Sequence, residues 1–192
     1  MLEPRLQHQF FESADLLNQA AEQLTRPLAV AAQLAVACVT GGGRLLCAGA
    51  GVALHDALAV SELLQHQFEQ ERPGLAALPL QPAVGTLHGQ DALVRQLQVF
   101  GHPGDVLLWL DPVTGAEGVP LLAAARELDI AVIALCTEGA DGAAAVKAAL
   151  TDTDVLLRLT APRLPRRLEV QRVALHALCD AIDAQLLGLE TP

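Results

Sequence analysis

Arg44-Leu45-Leu46-Cys47-Ala48-Gly49-Ala50-Gly51-Val52-Ala53-Leu54 is the stretch on which the fold turns. Leu45 to Ala48 are apolar without alternation, as in a strand buried on both faces of a parallel sheet. Two glycines then allow a tight turn, and an apolar-periodic run from Leu54 to Gln70 predicts a helix. Upstream, the first 41 residues are helical in pattern. Pro27 suits the first turn of a second helix, where its missing N–H costs nothing, and Gly41-Gly42-Gly43 ends it. Downstream the alternation repeats. Strands are predicted at Leu75 to Leu80, Val106 to Leu110, Ile130 to Cys136 and Val155 to Leu159. Helices are predicted from about Gln90 to Phe100, Gly118 to Leu128, Ala143 to Leu150 and Arg166 to Leu187. Strands alternating with helices give an α/β fold: a three-layer αβα sandwich on a five-stranded parallel sheet, with extra N-terminal helices. No linker or repeat divides the 192 residues, so one domain is expected over 1–192. It comprises a helical pair (1–43), an α/β core (44–160) and a last helix (162–187).

The composition narrows the function. Hydrophobic residues are 52% and charged residues 18%, which excludes a disordered chain. A formal charge of -10 disfavours direct binding to a phosphate backbone. The longest uncharged stretch, Pro27 to Gly43, is too short to span a membrane and reads as a buried helix. Cys38, Cys47, Cys136 and Cys179 each lie in an apolar run with no CxxC spacing, so they read as buried thiols of a cytoplasmic protein.

Ligands of open parallel sheets bind outside the carboxyl ends of strands, so the candidate loops are Ala50 to Leu54 and Asp111 to Gly118. Gly49 and Gly51 match two glycines of a dinucleotide fingerprint, but Leu54 replaces the third. The second strand ends at Leu80-Gln81, with no acid for a ribose. On the third helix His55, Glu62 and His66 share one face, yet the outer two are roughly 16 Å apart on a straight helix and cannot share an ion. Arg163, Arg166, Arg167 and Arg172 form the densest basic cluster, read as intramolecular partners for Glu169, Asp180 and other acids.

Three further motifs occur in order: Phe68-Glu69-Gln70-Glu71-Arg72-Pro73-Gly74-Leu75, Gly101-His102-Pro103-Gly104-Asp105-Val106-Leu107-Leu108, and Leu178-Cys179-Asp180-Ala181-Ile182-Asp183. With the helices before the first strand, they make nearly the whole chain resemble the SIS (sugar isomerase) domain proteins. The branch is the one holding phosphoheptose isomerase and the DnaA initiator-associating protein. The resemblance implies a flavodoxin-like sheet and a homotetramer or dimer of dimers. It also implies a phosphosugar pocket at Gly49, Ala50, Gly51, Ala53, Asp111, Thr114 and Gly115, with Glu62 and His176 beside it. The family's asparagine and serine of the first loop are replaced by Ala50 and Ala53, and Asp111 and Glu117 bring negative charge to the second loop. The loop after the second strand offers Gly85-Thr86 in place of an Asn-Asp pair.

The metal and acid/base set implied by the resemblance falls on Ala59, Leu63, Leu168 and His176, of which only His176 can ligate. The expectation is therefore a non-catalytic, cofactor-free and metal-free scaffold with weak or no phosphosugar binding. It would self-associate and bind a protein partner such as DnaA. The alternatives are a phosphoheptose isomerase acting on sedoheptulose 7-phosphate, and a phosphosugar sensor without chemistry.

Overall fold

A computed structural model describes residues 2–81, 89–113, 118–137 and 143–189. The chain runs α1 (Glu3–Thr40), β1 (Leu45–Gly49), a 3-10 turn (Gly51–Ala53), α2 (Leu54–Gln65), β2 (Ala77–Pro79), α3 (Gly89–Phe100) and β3 (Val106–Asp111). It continues with α4 (Val119–Glu127), β4 (Ala131–Thr137), α5 (Ala143–Ala149), β5 (Val155–Leu159) and α6 (Leu164–Leu187). The five strands form one sheet in the order β2-β1-β3-β4-β5, all pairs parallel. The order reverses direction between β1 and β3, so a crevice opens at the carboxyl ends of those two strands.

Side chains alternate across the sheet and build two cores. Leu45, Cys47, Leu108 and Leu110 pack with α1, α2 and α6. Leu46, Ala48, Leu107 and Trp109 pack with α3, α4 and α5. The αβα sandwich is therefore as expected from the alternation of elements.

Several element ends shift by one or two residues from the sequence reading, and two differences are larger. The N-terminal segment is one helix of 38 residues with Pro27 inside it, in place of a helical pair. Its buried stripe, Leu24, Leu28, Ala31, Ala32, Ala35 and Cys38, continues through the proline, and packing against α6 carries the helix across the lost hydrogen bond. The helix α2 stops at Gln65, five residues before the predicted Gln70. Arg72 folds back and donates to the carbonyls of Leu64 at 2.9 Å and Leu63 at 3.4 Å. The last carbonyls of the helix are thus capped by a side chain from the following turn.

The quoted motifs prove to be structural ties. Asp105 accepts from the Arg44 backbone N–H (2.8 Å), the Arg44 guanidinium (2.8 Å) and the His102 N–H (3.0 Å), pinning the starts of β1 and β3 together. Arg72 and Asp183, both nearly inaccessible, form an ion pair of 2.5 Å that joins the turn after α2 to α6.

Candidate functional site

The loop after β1 is built for close approach. A Cβ on Gly49 would lie 2.5 Å from the Ala53 carbonyl carbon, and Gly51 has φ +52°, so both positions demand glycine. The Ala50 N–H donates to the Leu110 carbonyl at 2.9 Å, which ties this loop to the end of β3. The Ala53 N–H turns back to the Ala50 carbonyl at 3.0 Å. The alanines that replace polar residues are part of the hydrophobic packing: Ala53 belongs to the α1–α2–α6 core and Ala50 to the opposite one.

Asp111 is fully buried at the end of β3, and its Oδ1 accepts the Val113 N–H at 3.0 Å. One oxygen is thus turned onto its own chain. Thr114, Gly115 and Glu117 lie outside the described residues, as do Gly85 and Thr86. Arg167 reaches the same region from α6, donating to the carbonyls of Ala161 (2.8 Å) and Pro112 (3.3 Å).

A buried polar cluster lies between α2 and α6. Positions 56, 59 and 63 share a face of α2, and positions 172 and 176 share a face of α6. A cavity of about 30 Å³ separates Asp56, Ala59 and Leu63 from Arg172, Leu175 and His176. That is room for a water or a single ligand oxygen. Asp56, in the first turn of α2 beside the glycine loop, is buried. Its Oδ2 accepts from Gln171 Nε2 at 2.7 Å, and its Oδ1 accepts from Arg172 Nη2. Gln171 is itself buried, and its Oε1 has no partner among the described residues. An amide oxygen left bare costs about 1–3 kcal/mol, so the residue is held for its bond to Asp56 at a price in stability. His176 packs edge-tilted on Phe68, with ring centroids 5.6 Å apart.

Glu62 is exposed and lies away from this cavity, and His55 and His66 are likewise on the surface. Of the basic cluster, Arg163 and Arg166 pair with Glu12 of α1, and Arg166 also with Glu169. Asp180 takes no part in those pairs; Asp183, three residues on, pairs with Arg72, outside the cluster. Sequence reasoning missed the Asp56–Gln171–Arg172 cluster. The signal was available in the spacing of Arg172 and His176, four apart on α6, opposite Asp56 and Leu63, seven apart on α2.

The residues do not fit a metal ion held by the positions the resemblance implies. Ala59 and Leu63 have no donor, and Leu168 is not among the residues lining the cavity. Among the described residues no three His, Cys, Asp or Glu side chains converge on one point. None of the described helices is long and apolar enough to cross a membrane.

The pattern of SIS domains matches residues 9–137. The phosphoheptose isomerase of Methylibium petroleiphilum is 42% identical, covering 98% of this chain and 96% of its own length. That of Aromatoleum aromaticum is 38% identical over 97% of this chain and 96% of its own. The structure of phosphoheptose isomerase from Neisseria gonorrhoeae superposes with a TM-score of 0.83 at 30% identity, covering 96% of this chain and 100% of that one. A phosphoheptose isomerase from Francisella tularensis gives 0.85 at 26% identity, over 95% and 98%. These findings overturn the expectation of a non-catalytic scaffold that associates with DnaA. These two relatives, aligned over nearly the full length of this chain, carry the name of an enzyme. The expectation rested on three lost side chains and overlooked the polar groups at 56, 171 and 172, which are contributed by the same two helices. On the sheet order, the glycine loop at its switch point and these relatives together, the chain belongs to the SIS domain family, in the phosphoheptose isomerase branch.

Proposed function

We propose that this protein is a cytoplasmic isomerase interconverting aldose and ketose phosphates, with sedoheptulose 7-phosphate as the substrate to test. The observation that carries the reading is the 42% identical relative named phosphoheptose isomerase, aligned over 98% of the chain. The site is consistent with it. The phosphate belongs at the β1 loop, where glycines bring backbone N–H groups and the start of the 12-residue α2 close to an anion. The reacting carbons then lie along α2 toward the α6 cavity.

Isomerisation removes a proton from the carbon beside a carbonyl and returns it to the former carbonyl carbon, while the hydroxyl proton moves the other way. It needs a base and a donor for the oxygen that gains negative charge. His176 is the candidate base, accepting the carbon-bound proton on a ring nitrogen and giving it back. Arg172 is the donor that holds the enediolate oxygen. A coupled assay with sedoheptulose 7-phosphate tests this: turnover of the order of 1 per second or more supports it, with a loss of about 100-fold in His176→Ala. No turnover above buffer at millimolar substrate refutes it.

We infer in addition that the chain assembles with copies of itself, as a homotetramer or dimer of dimers. Leu2, Leu6 and Phe10, spaced by four on α1, are 59–76% exposed, with Phe11 beside them. Such a stripe on a helix end favours a covering partner.

A further inference from the structure

The place where the resemblance implies a metal holds a different kind of charge. A divalent ion bound by protein side chains requires three or four donors. The α2–α6 cavity offers one imidazole, His176, and one carboxylate, Asp56, whose two oxygens already accept from Gln171 and Arg172. Ala59, Val60, Leu63 and Leu175 complete the lining without a donor. The remaining ionic group is the Arg172 guanidinium, whose positive charge repels a metal cation.

That guanidinium is well placed for a role. Its Asp56 partner is buried, with 4% of the side chain accessible, and is fixed from behind by the buried Gln171. One Nη is committed to this anchor, while the side chain as a whole is 54% exposed. The side chain lines the cavity together with His176, one helical turn away, and the fork has further donors beyond the one given to Asp56. A charge held by a buried carboxylate does not need to reorganise when an oxyanion forms beside it.

We propose that Arg172, anchored by Asp56 and Gln171, takes the place of a metal ion in this site and holds the substrate oxygen without any divalent cation. The assignment of a substrate oxygen rests on the isomerase reading above; the exclusion of a metal does not. The full-length protein, stripped with chelator and dialysed, is titrated calorimetrically with zinc, alongside His176→Ala. The expected result is no His176-dependent site tighter than about 10 μM. Uptake of one zinc per chain that disappears in His176→Ala overturns the proposal, whatever the activity.

The second arm is turnover of sedoheptulose 7-phosphate. Wild-type activity should be unchanged by chelator. Arg172→Gln should lose about 100-fold in kcat, while Arg172→Lys, which keeps the charge, recovers part of it. Activity that chelator abolishes and zinc restores, or an Arg172→Gln variant as active as wild type with an unchanged melting profile, sinks the arginine's role. Absence of turnover in every condition removes the isomerase reading and Arg172's substrate role with it. The zinc titration then still decides whether the site takes a metal.

Discussion

Arg72 is the side chain on which most of the structure converges. It ends α2, supports the turn through the Pro73 carbonyl at 3.1 Å and pairs with Asp183 on α6. The pair is almost wholly desolvated, and removing one member leaves a buried charge without its counterion. Arg72→Met is expected to cost about 3–5 kcal/mol, read as a lower urea midpoint. The four thiols carry a second prediction. Burial pushes Cys47, Cys136 and Cys179 up to about 12 and Cys38 to about 11, with acids nearby adding to the rise for Cys38, Cys136 and Cys179. Their ordinary value is 9.0, so the folded state favours the neutral thiol. The stability this confers is full below about pH 9 and is lost as pH rises through about 12. In the native protein at pH 8 all four should resist Ellman's reagent, and all four should react once urea unfolds the chain. Rapid labelling of native Cys47 would contradict its burial.

At the scale of elements, Pro27 decides how α1 is understood. A proline inside a helix removes one backbone bond and crowds the preceding turn. The sequence around it reads as a helix start, because nothing local reveals that Leu24 and Leu28 pack as one stripe against α6. Only the tertiary contact makes the helix continuous. Pro27→Ala should therefore raise stability by about 1–3 kcal/mol, measured by denaturant unfolding; a loss would mean that the proline's own packing outweighs the restored bond. The strands, by contrast, were readable, since Leu45 to Ala48 and Val106 to Leu110 are apolar on both sides and each is followed by a turn signal. The end of α2 was not readable, because its stop is a side chain from seven residues beyond Gln65. The candidate site was half readable. Gly49 and Gly51 mark the loop, and His176 could be singled out, but Asp56 and Arg172 meet only when α2 and α6 are packed 116 residues apart in sequence.

For the whole molecule, the two cores differ in what surrounds them. The side carrying α1 and α6 leaves Leu2, Leu6, Phe10 and Phe11 largely uncovered, whereas the polar ties at Glu12 and Arg163 fix the start of α1 onto α6. The stripe is thus presented on a helix that is itself anchored, which suits a contact between copies. Multi-angle light scattering at micromolar concentration should show a tetramer, or at least a dimer. Leu6→Glu together with Phe10→Glu should reduce the mass without lowering the helical content. A wild-type monomer would dismiss self-association through this face. The charge of -10 sets no obstacle, since the stripe itself is apolar.

Trp109 is the only tryptophan, fully buried on β3 two residues before Asp111, and its indole N–H has no partner among the described residues. A Cβ on Gly118 would come within 2.3 Å of that nitrogen, so the ring lies directly under the residue where the loop after β3 rejoins α4. With no tyrosine in the chain, excitation near the red edge reports on this one ring. The molecule therefore carries its own optical probe between the end of β3 and the start of α4. A shift in emission on adding a sugar phosphate would report binding beside Asp111 and Gly118 without any label, and quenching by iodide would measure how accessible the ring becomes.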